Sequence, residues 1–324
     1  MLMASRSRCL SGQLCFVPAA ACLMALPALA DGPKVVVTLK PVHALVSQIM
    51  DGVGKPMLIV DGSASPHTFT LRPSGAKAIT EADVFVRVSE SVEPFTRKIA
   101  EALPKSVSLV TLSDAAGMKL FDQREGGAFE EHHHEGEAVH DDHGHDESEH
   151  DGKDGHIWLD PANAKVIVAE VTKVLVAKFP SDADAFKANA AVTLEKIDTL
   201  TAEIEGQLNP VKGKPFIVFH DATQYFEKRF GLFAAGSITI SPDVQPSAKR
   251  LTAVRKKIAE LGATCVFAEP GFQPNLLAAV TEGSNARSGT IDAEGLTLTP
   301  GPELYDTLMR NLARNVKGCL QPTS

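Results

Sequence analysis

Seven of the chain's eleven histidines, His132, His133, His134, His140, His143, His145 and His150, crowd between Glu130 and Asp151, where most other residues are Glu or Asp. Imidazole and carboxylate together make a borderline-to-hard ligand set that suits zinc, copper or nickel. The stretch contains no Leu, Ile or Phe, so it lacks the apolar surface needed to fold alone and is expected to be disordered. Such a tract captures divalent ions without building one rigid site. The other four histidines stand in ordered-looking contexts: His43 after Pro41, His67 in Ser65-Pro66-His67-Thr68-Phe69, His156 in Gly155-His156-Ile157-Trp158-Leu159-Asp160-Pro161, and His220 in Phe219-His220-Asp221-Ala222. A single loop histidine is more often a satisfied polar residue than a ligand. Three of these, His67, His156 and His220, sit at or near strand ends or turns, and in open α/β sheets ligands bind beyond the carboxyl ends of the strands.

The elements that must position them follow βαβ grammar, short β-branched runs alternating with amphipathic helical spacing. A first set of strands is expected at Val35–Thr38, Met57–Val60, Val84–Val88 and Val107–Leu112, with a helix over Pro41–Met50. A second set is expected at Phe216–Phe219, Ser237–Ile240, Cys265–Ala268 and Gly289–Ile291, with helices near Ala222–Phe230, Ser247–Leu261 and Gln273–Thr281. Between the sets, Phe186, Ala190, Leu194, Ile197, Leu200 or Thr201, Ile204 and Leu208 carry the most regular helical period in the chain. With Ser181 offered as N-cap and Asn209-Pro210 as stop, this predicts a rod near 40 Å long. The expected division is a secretory segment at 1–30, an N-terminal α/β lobe at 31–181 that includes the disordered loop at 125–155, a linking helix at 182–209, and a C-terminal α/β lobe at 210–324. A chain of this size exceeds what one core normally supports, at about 250–300 residues.

Arg6 and Arg8 precede an apolar run from Leu14 to Leu26, and Ala28-Leu29-Ala30 presents small residues before Asp31. This is the pattern of a cleaved export signal, and Ala19-Ala20-Ala21-Cys22 is a poor site for lipidation. Cleavage would remove three of the five cysteines, leaving Cys265 and Cys319, which in an oxidising compartment either pair or stay as buried thiols. Loss of the two arginines takes the formal charge from −8 to −10. With no basic patch and no aromatic stacking run, nucleic acid is excluded as a partner. No stretch elsewhere reaches transmembrane length.

The local sequences around the isolated histidines carry more than their spacing. His67 with Phe69 and Leu71-Arg72-Pro73-Ser74, the His156–Pro161 block, the Phe219–Ala222 block, Phe267-Ala268-Glu269-Pro270 and Gly289-Thr290-Ile291-Asp292 together resemble the zinc-binding component of bacterial ABC uptake systems, the ZnuA type. The resemblance spans nearly the whole chain after residue 30, with an acidic histidine loop and a Cys265–Cys319 disulfide where zinc members carry them. It implies two (β/α) lobes with mainly parallel sheets, joined by one long rigid helix, with a single Zn2+ in the cleft between them. The ligands it implies are His67 and His156 from the first lobe and His220 from the second, with Asp292 or a bound water in fourth place. Manganese relatives have a glutamate in place of the third histidine, so His220 favours zinc. Some zinc members place a glutamate before the first histidine; this chain has Pro66 there, which has no ligating atom.

The expected function is therefore high-affinity capture of Zn2+ in the periplasm by a monomer that delivers it to the membrane permease of an ABC importer. A separate ATPase would power transport, since the chain has no Gly-x-x-x-x-Gly-Lys-Ser/Thr sequence, and the histidine tract would act as accessory collector or sensor. No enzymatic activity is expected. Two alternatives from other classes are a secreted zinc hydrolase, since three imidazoles and a water resemble a catalytic zinc, and a metal-storage or adhesin protein. His-Glu-x-x-His is absent, which weighs against the hydrolase. Among neighbours, Asp160 and Glu269 are candidates to hold a ligating imidazole, with Asp160 equally able to cap a helix. His43 is expected to be a buried helix residue, and Trp158 and Phe219 to be packing beside the cleft.

Overall fold

Val35-Val36-Val37 is a fully buried β-branched run, and it forms the first strand, β1 (Val35–Val37), of a parallel sheet. The structure, a computed structural model, describes residues 32–62, 64–124, 129, 152–239, 246–270 and 274–321. The export segment and the histidine tract with its seven histidines lie outside the described residues. After β1 come α1 (Lys40–Ile49), β2 (Met57–Leu58), α2 (Pro73–Thr80), β3 (Val84–Arg87), α3 (Arg97–Glu101) and β4 (Ser108–Thr111). The sheet order is β2-β1-β3-β4, all parallel. Prolines at the first turns of α1 and α2 fit the helix starts, where a missing N–H costs nothing.

Strands β5 (Phe121–Asp122) and β6 (Lys153–Asp154) pair antiparallel, and Gln123 N–H donates to Gly152 O at 2.8 Å. The histidine tract thus leaves and rejoins the fold at a two-stranded clasp. Its expected end at residue 155 runs too far, because 153–154 belong to the clasp. Two helices follow, α4 (Pro161–Lys178) and the 26-residue α5 (Ala183–Leu208), the latter about 39 Å long. Phe186, Ala190, Thr193, Ile197, Leu200, Ile204 and Leu208 form its buried stripe. Ser181 is not its cap: a short 3-10 turn over Pro180–Asp182 precedes α5, and the Ser181 hydroxyl donates to Asp182 at 3.1 Å.

The second lobe runs β7 (Pro215–His220), α6 (Gln224–Phe230), β8 (Phe233–Thr239), α7 (Ala248–Leu261), β9 (Cys265–Ala268), α8 (Pro274–Thr281), β10 (Arg287–Thr290) and α9 (Leu304–Leu320). Its parallel sheet has the order β10-β9-β7-β8. Helices α6 and α7 end at Gly231 and Gly262, both left-handed (φ 69° and 58°), as a C-terminal glycine allows. The disulfide Cys265–Cys319 ties the start of β9 to the end of α9.

Alternation along the strands splits the interior into three cores. Val36 and Phe85 face outward onto Ile79 and Ala82, while Ile217, Phe219 and Val266 face Val254 and Ile258 of α7. The opposite faces, with Val35, Val37, Val84 and Val86 from one sheet and Phe216, Val218 and Phe267 from the other, share one cluster with residues of α1, α4, α5 and α9. The lobes therefore have a common core between them, with α5 packed against α1, α4 and α9. Polar links cross the same seam. Lys40 Nζ donates to the carbonyls of Gly295, Leu296 and Leu298 at 3.1–3.3 Å, and Gln48 Nε2 donates to Pro302 O at 2.7 Å. No helix of the described residues is long and apolar enough to cross a membrane.

Candidate metal centre

His220 is the last residue of β7, a central strand, so its side chain emerges at the carboxyl edge of the second sheet. His156 arrives from the other side, two residues after the end of β6, where Gly155 lets the chain press against its neighbours. A Cβ at Gly155 would lie 2.2 Å from Val92 Cγ2 and 2.9 Å from Ser91 Oγ. His67 sits in the turn after β2, its backbone N–H donating to Ser65 Oγ at 3.4 Å. Phe69, two residues on, packs edge-on against Phe95 with ring centroids 4.9 Å apart and anchors that turn.

The three imidazoles converge. Their centroids are 5.5 Å (His67–His156), 5.4 Å (His67–His220) and 5.0 Å (His156–His220) apart, and one ring nitrogen of each lies within 4.8 Å of the other two. Among the described residues this is the one such grouping of His, Cys, Asp or Glu ligand atoms. Each member is held differently. Asp154 Oδ1 accepts from the backbone N–H of His156 at 3.0 Å and lies 2.7 Å from its Nδ1. Placing the ring proton on Nδ1 leaves the buried Nε2 with its lone pair and no hydrogen-bond partner among the described residues. Gln224 Nε2 donates to the other oxygen of Asp154 at 3.2 Å, and the Tyr225 hydroxyl donates to Asp154 O at 2.7 Å. Glu269 Oε1 lies 3.3 Å from Nδ1 of His220.

His67 Nε2 is also buried without a hydrogen-bond partner among the described residues. Burial, with His220 and His156 beside it, holds the His67 imidazole well below its usual pKa, so the ring is neutral and ligating near neutral pH. Burial pushes the Glu269 carboxyl up to about 8, opposed by His156 and reinforced by Asp292. Two buried ring nitrogens, Nε2 of His67 and of His156, without a hydrogen-bond partner among the described residues, and a third imidazole from the opposite lobe fit a divalent cation. Tetrahedral coordination by nitrogen at about 2.0–2.1 Å asks for ligand separations of about 3.4 Å, so the rings must close inward on an ion.

Asp292 is not part of this grouping. Its Oδ1 accepts from Leu296 N–H at 2.8 Å, and its Oδ2 from Thr297 N–H and Oγ1 at 2.9 and 2.7 Å. Asp160 caps α4, accepting from Ala162 N–H at 2.9 Å, and faces Arg229 at 3.7 Å. The carboxylate on His156 is instead Asp154, which sequence reasoning missed although an acid two residues before the histidine was a readable signal. Glu294 was also missed: its Oε1 lies 3.9 Å from His67 Nε2. Trp158 is fully buried against His156, its indole N–H donating to Ala293 O at 2.9 Å, while Phe219 points into the outer core of the second lobe. His43 stays outside, its Nε2 3.0 Å from Pro56 O. At the foot of the tract, Arg124 spans the cleft to Glu227 at 2.7 Å and to Asp221, the residue after His220.

A family model described as zinc-uptake complex component A, periplasmic, matches residues 35–319. The high-affinity zinc uptake system protein ZnuA of Brucella abortus (strain 2308) is 45% identical over 310 residues, covering 88% of this chain and 91% of that protein. A crystal structure of ZnuA superposes with a TM-score of 0.73 at 21% identity, covering 90% of this chain and all (100%) of that one. The laminin-binding protein Lmb of Streptococcus agalactiae, described as a bifunctional protein with adhesin and metal-transporting activity, superposes at 0.70 with 23% identity, covering 88% of this chain and 100% of that one. The last two likenesses show the shared two-lobed α/β fold.

Proposed function

This chain belongs to the zinc-uptake complex component A family, and from that premise we propose that it captures Zn2+ in the periplasm and delivers it to the permease of an ABC importer. Solute-binding transport is the role of the family, and a permease with its own ATPase is the partner that role requires. The observation that carries the reading is the convergence of His67, His156 and His220 from both lobes, with ring nitrogens within 4.8 Å.

The donor set explains the choice of ion. Three imidazoles leave room for one oxygen, a tetrahedral set that zinc accepts and that manganese, which prefers harder oxygen ligands, does not favour. The tract at 130–151 serves as a collector of several weakly held ions. Acid weakens capture, because a protonated imidazole has no lone pair to donate. Release to the permease has to open the ligand cage locally, since the shared core between the lobes resists a wide hinge motion. The protein works as a monomer, and residues 1–30 direct its export and are then cleaved.

The test is metal analysis with competitive titration of the full mature chain against zinc and manganese. One tightly held zinc that manganese does not displace is expected, lost on changing His220 to Ala. Equal retention of manganese, or tight zinc that survives loss of His220, would contradict the proposal.

A further inference from the structure

Resting on the zinc-carrier reading, we propose that Arg124 is a positioning residue of the ion site: a guanidinium from the first lobe that straps the carboxyl end of β7 to the β5–β6 clasp, and so sets the spacing of His220 and His156. Arg124 has no lone pair to give an ion, so it acts only through what it holds. It stands two residues after β5, and its N–H donors form a planar fork suited to carboxylates. Nε donates to both oxygens of Asp221 at 3.0 Å, and Nη2 also donates to Asp221 Oδ1. Nη1 donates to Glu227 Oε2 at 2.7 Å and Nη2 to Glu227 Oε1 at 3.0 Å. One cation thus serves two largely buried carboxylates of the second lobe.

The two carboxylates stand on different footings. Glu227 is a fixed post, accepting from the Thr223 hydroxyl at 2.7 Å and from Ala234 N–H at 3.2 Å, which joins α6 to β8. Asp221, the residue after His220, has Arg124 as its one side-chain hydrogen-bond partner among the described residues. Its other charged neighbours, Glu227 and Asp154, repel it. Without the guanidinium, these half-buried acids would push the end of β7 away from α6 and the clasp, since removing one partner leaves the buried charges uncompensated. The clasp is seated on α6 by further contacts. The Tyr225 hydroxyl accepts from Phe121 N–H at 3.1 Å and donates to Asp154 O at 2.7 Å, Gln224 Nε2 donates to Asp122 O at 3.0 Å, and Lys228 Nζ lies 3.7 Å over the Phe121 ring. Those contacts fix His156 to the helix; the Arg124 contact is the one among them that reaches the residue beside His220. His156 and His220 are the closest pair of the three rings, at 5.0 Å against 5.4 and 5.5 Å. A spacing fixed beforehand lowers the cost of ordering ligands around an ion, and so lengthens its stay.

The experiment measures zinc affinity by competition and zinc release to a chelator in the full mature chain and in Arg124→Met, Arg124→Lys and Asp221→Asn. The visible spectrum of each cobalt-loaded protein, which follows ligand geometry, and the melting temperature of each metal-free protein are recorded beside them. Arg124→Met is expected to weaken zinc binding by about 10–100-fold, the loss usual for residues that orient metal ligands, mostly through faster release, and to alter the cobalt spectrum. Arg124→Lys keeps the charge without the fork, and is expected to fall between the parent and Arg124→Met. Adding Asp221→Asn to Arg124→Met is expected to cost nothing further, because it removes the repulsion that loss of the guanidinium exposes. If Arg124→Met does not fold, Arg124→Lys and Asp221→Asn carry the same comparison. A melting temperature that falls while affinity, release and cobalt spectrum stay those of the parent gives Arg124 a structural role alone and overturns the proposal, as do additive losses in the double variant. A parent chain with no tightly held zinc overturns the carrier reading, and this inference with it.

Discussion

His156 is gripped at both its backbone and its ring by one buried carboxylate, Asp154, which is itself bonded by Gln224. His67 stands in a turn, its side chain 17% exposed, with a buried Nε2 that meets no hydrogen-bond partner among the described residues. One side of the centre is built before any ion arrives; the other is left to close upon it. The difference teaches where capture and release act. Rigid ligands set the geometry, and preorganisation lowers the entropy cost of binding. A ligand on a turn gives the ion a way in and the permease a part to pull on.

The sharpest way to break this contrast is to remove one imidazole from each side. His156→Ala and His67→Ala are both expected to lower zinc affinity by about 100-fold or more, beyond what outer partners of metal sites cost. They should part company in stability. Loss of His156 leaves Asp154 buried without its main partner and should cost the metal-free protein about 1–3 kcal/mol, whereas His67→Ala should stay within about 0.5 kcal/mol. Calorimetric titration and thermal melts read both quantities, and equal destabilisation would erase the distinction. Next in size is Asp154→Asn. It keeps the volume but loses the acceptor charge that fixes the His156 tautomer, and is expected to weaken zinc by about 10–100-fold in a competition assay.

The first lobe also predicts a pH dependence. Glu93 is completely buried at the end of β3 and accepts from Val88 and Ser89 N–H at 2.7 and 3.1 Å, and burial raises its carboxyl from an ordinary 4.5 to about 7. The folded chain thus keeps a proton that the unfolded chain has released. The stabilisation is whole below pH 4.5 and is lost as pH rises through about 7. Against Glu93→Gln, which does not titrate, the metal-free parent should lose relative stability across that window, by about 3 kcal/mol at 1.36 kcal/mol per pKa unit. A constant difference in melting temperature from pH 4 to 8 would exclude it. A last effect, on stability alone, is expected at Gly155, where an alanine Cβ would press on Val92 and Ser91. Gly155→Ala should cost about 1–3 kcal/mol, read by denaturant melts.

Much of this was legible beforehand for physical reasons that differ from part to part. Buried parallel strands such as Val35–Val37 and Phe216–Phe219 announce themselves as apolar runs, and α5 by its stripe from Phe186 to Leu208. The three imidazoles came from residue order matched to a family, since nothing in local spacing brings position 67 to 156 or 220. Helices α4 and α9 escaped notice. The apolar residues of α4 ring the helix and blur its period, and α9 lies after the last motif. The carboxylates were the weakest part. Asp160 caps α4 and Asp292 closes the turn to Thr297, while Asp154 meets His156, and Glu294 comes within 3.9 Å of His67, only because the β5–β6 clasp and the Lys40-held loop carry them there. Side chains placed by tertiary contacts leave no periodic trace.

The division of labour between cleft and tract is tested most directly by calorimetry with metal analysis on the mature protein lacking residues 130–151. Retention of one tightly bound zinc, abolished by adding His156→Ala, is the predicted result; loss of all tight zinc on removing the tract alone would contradict the account.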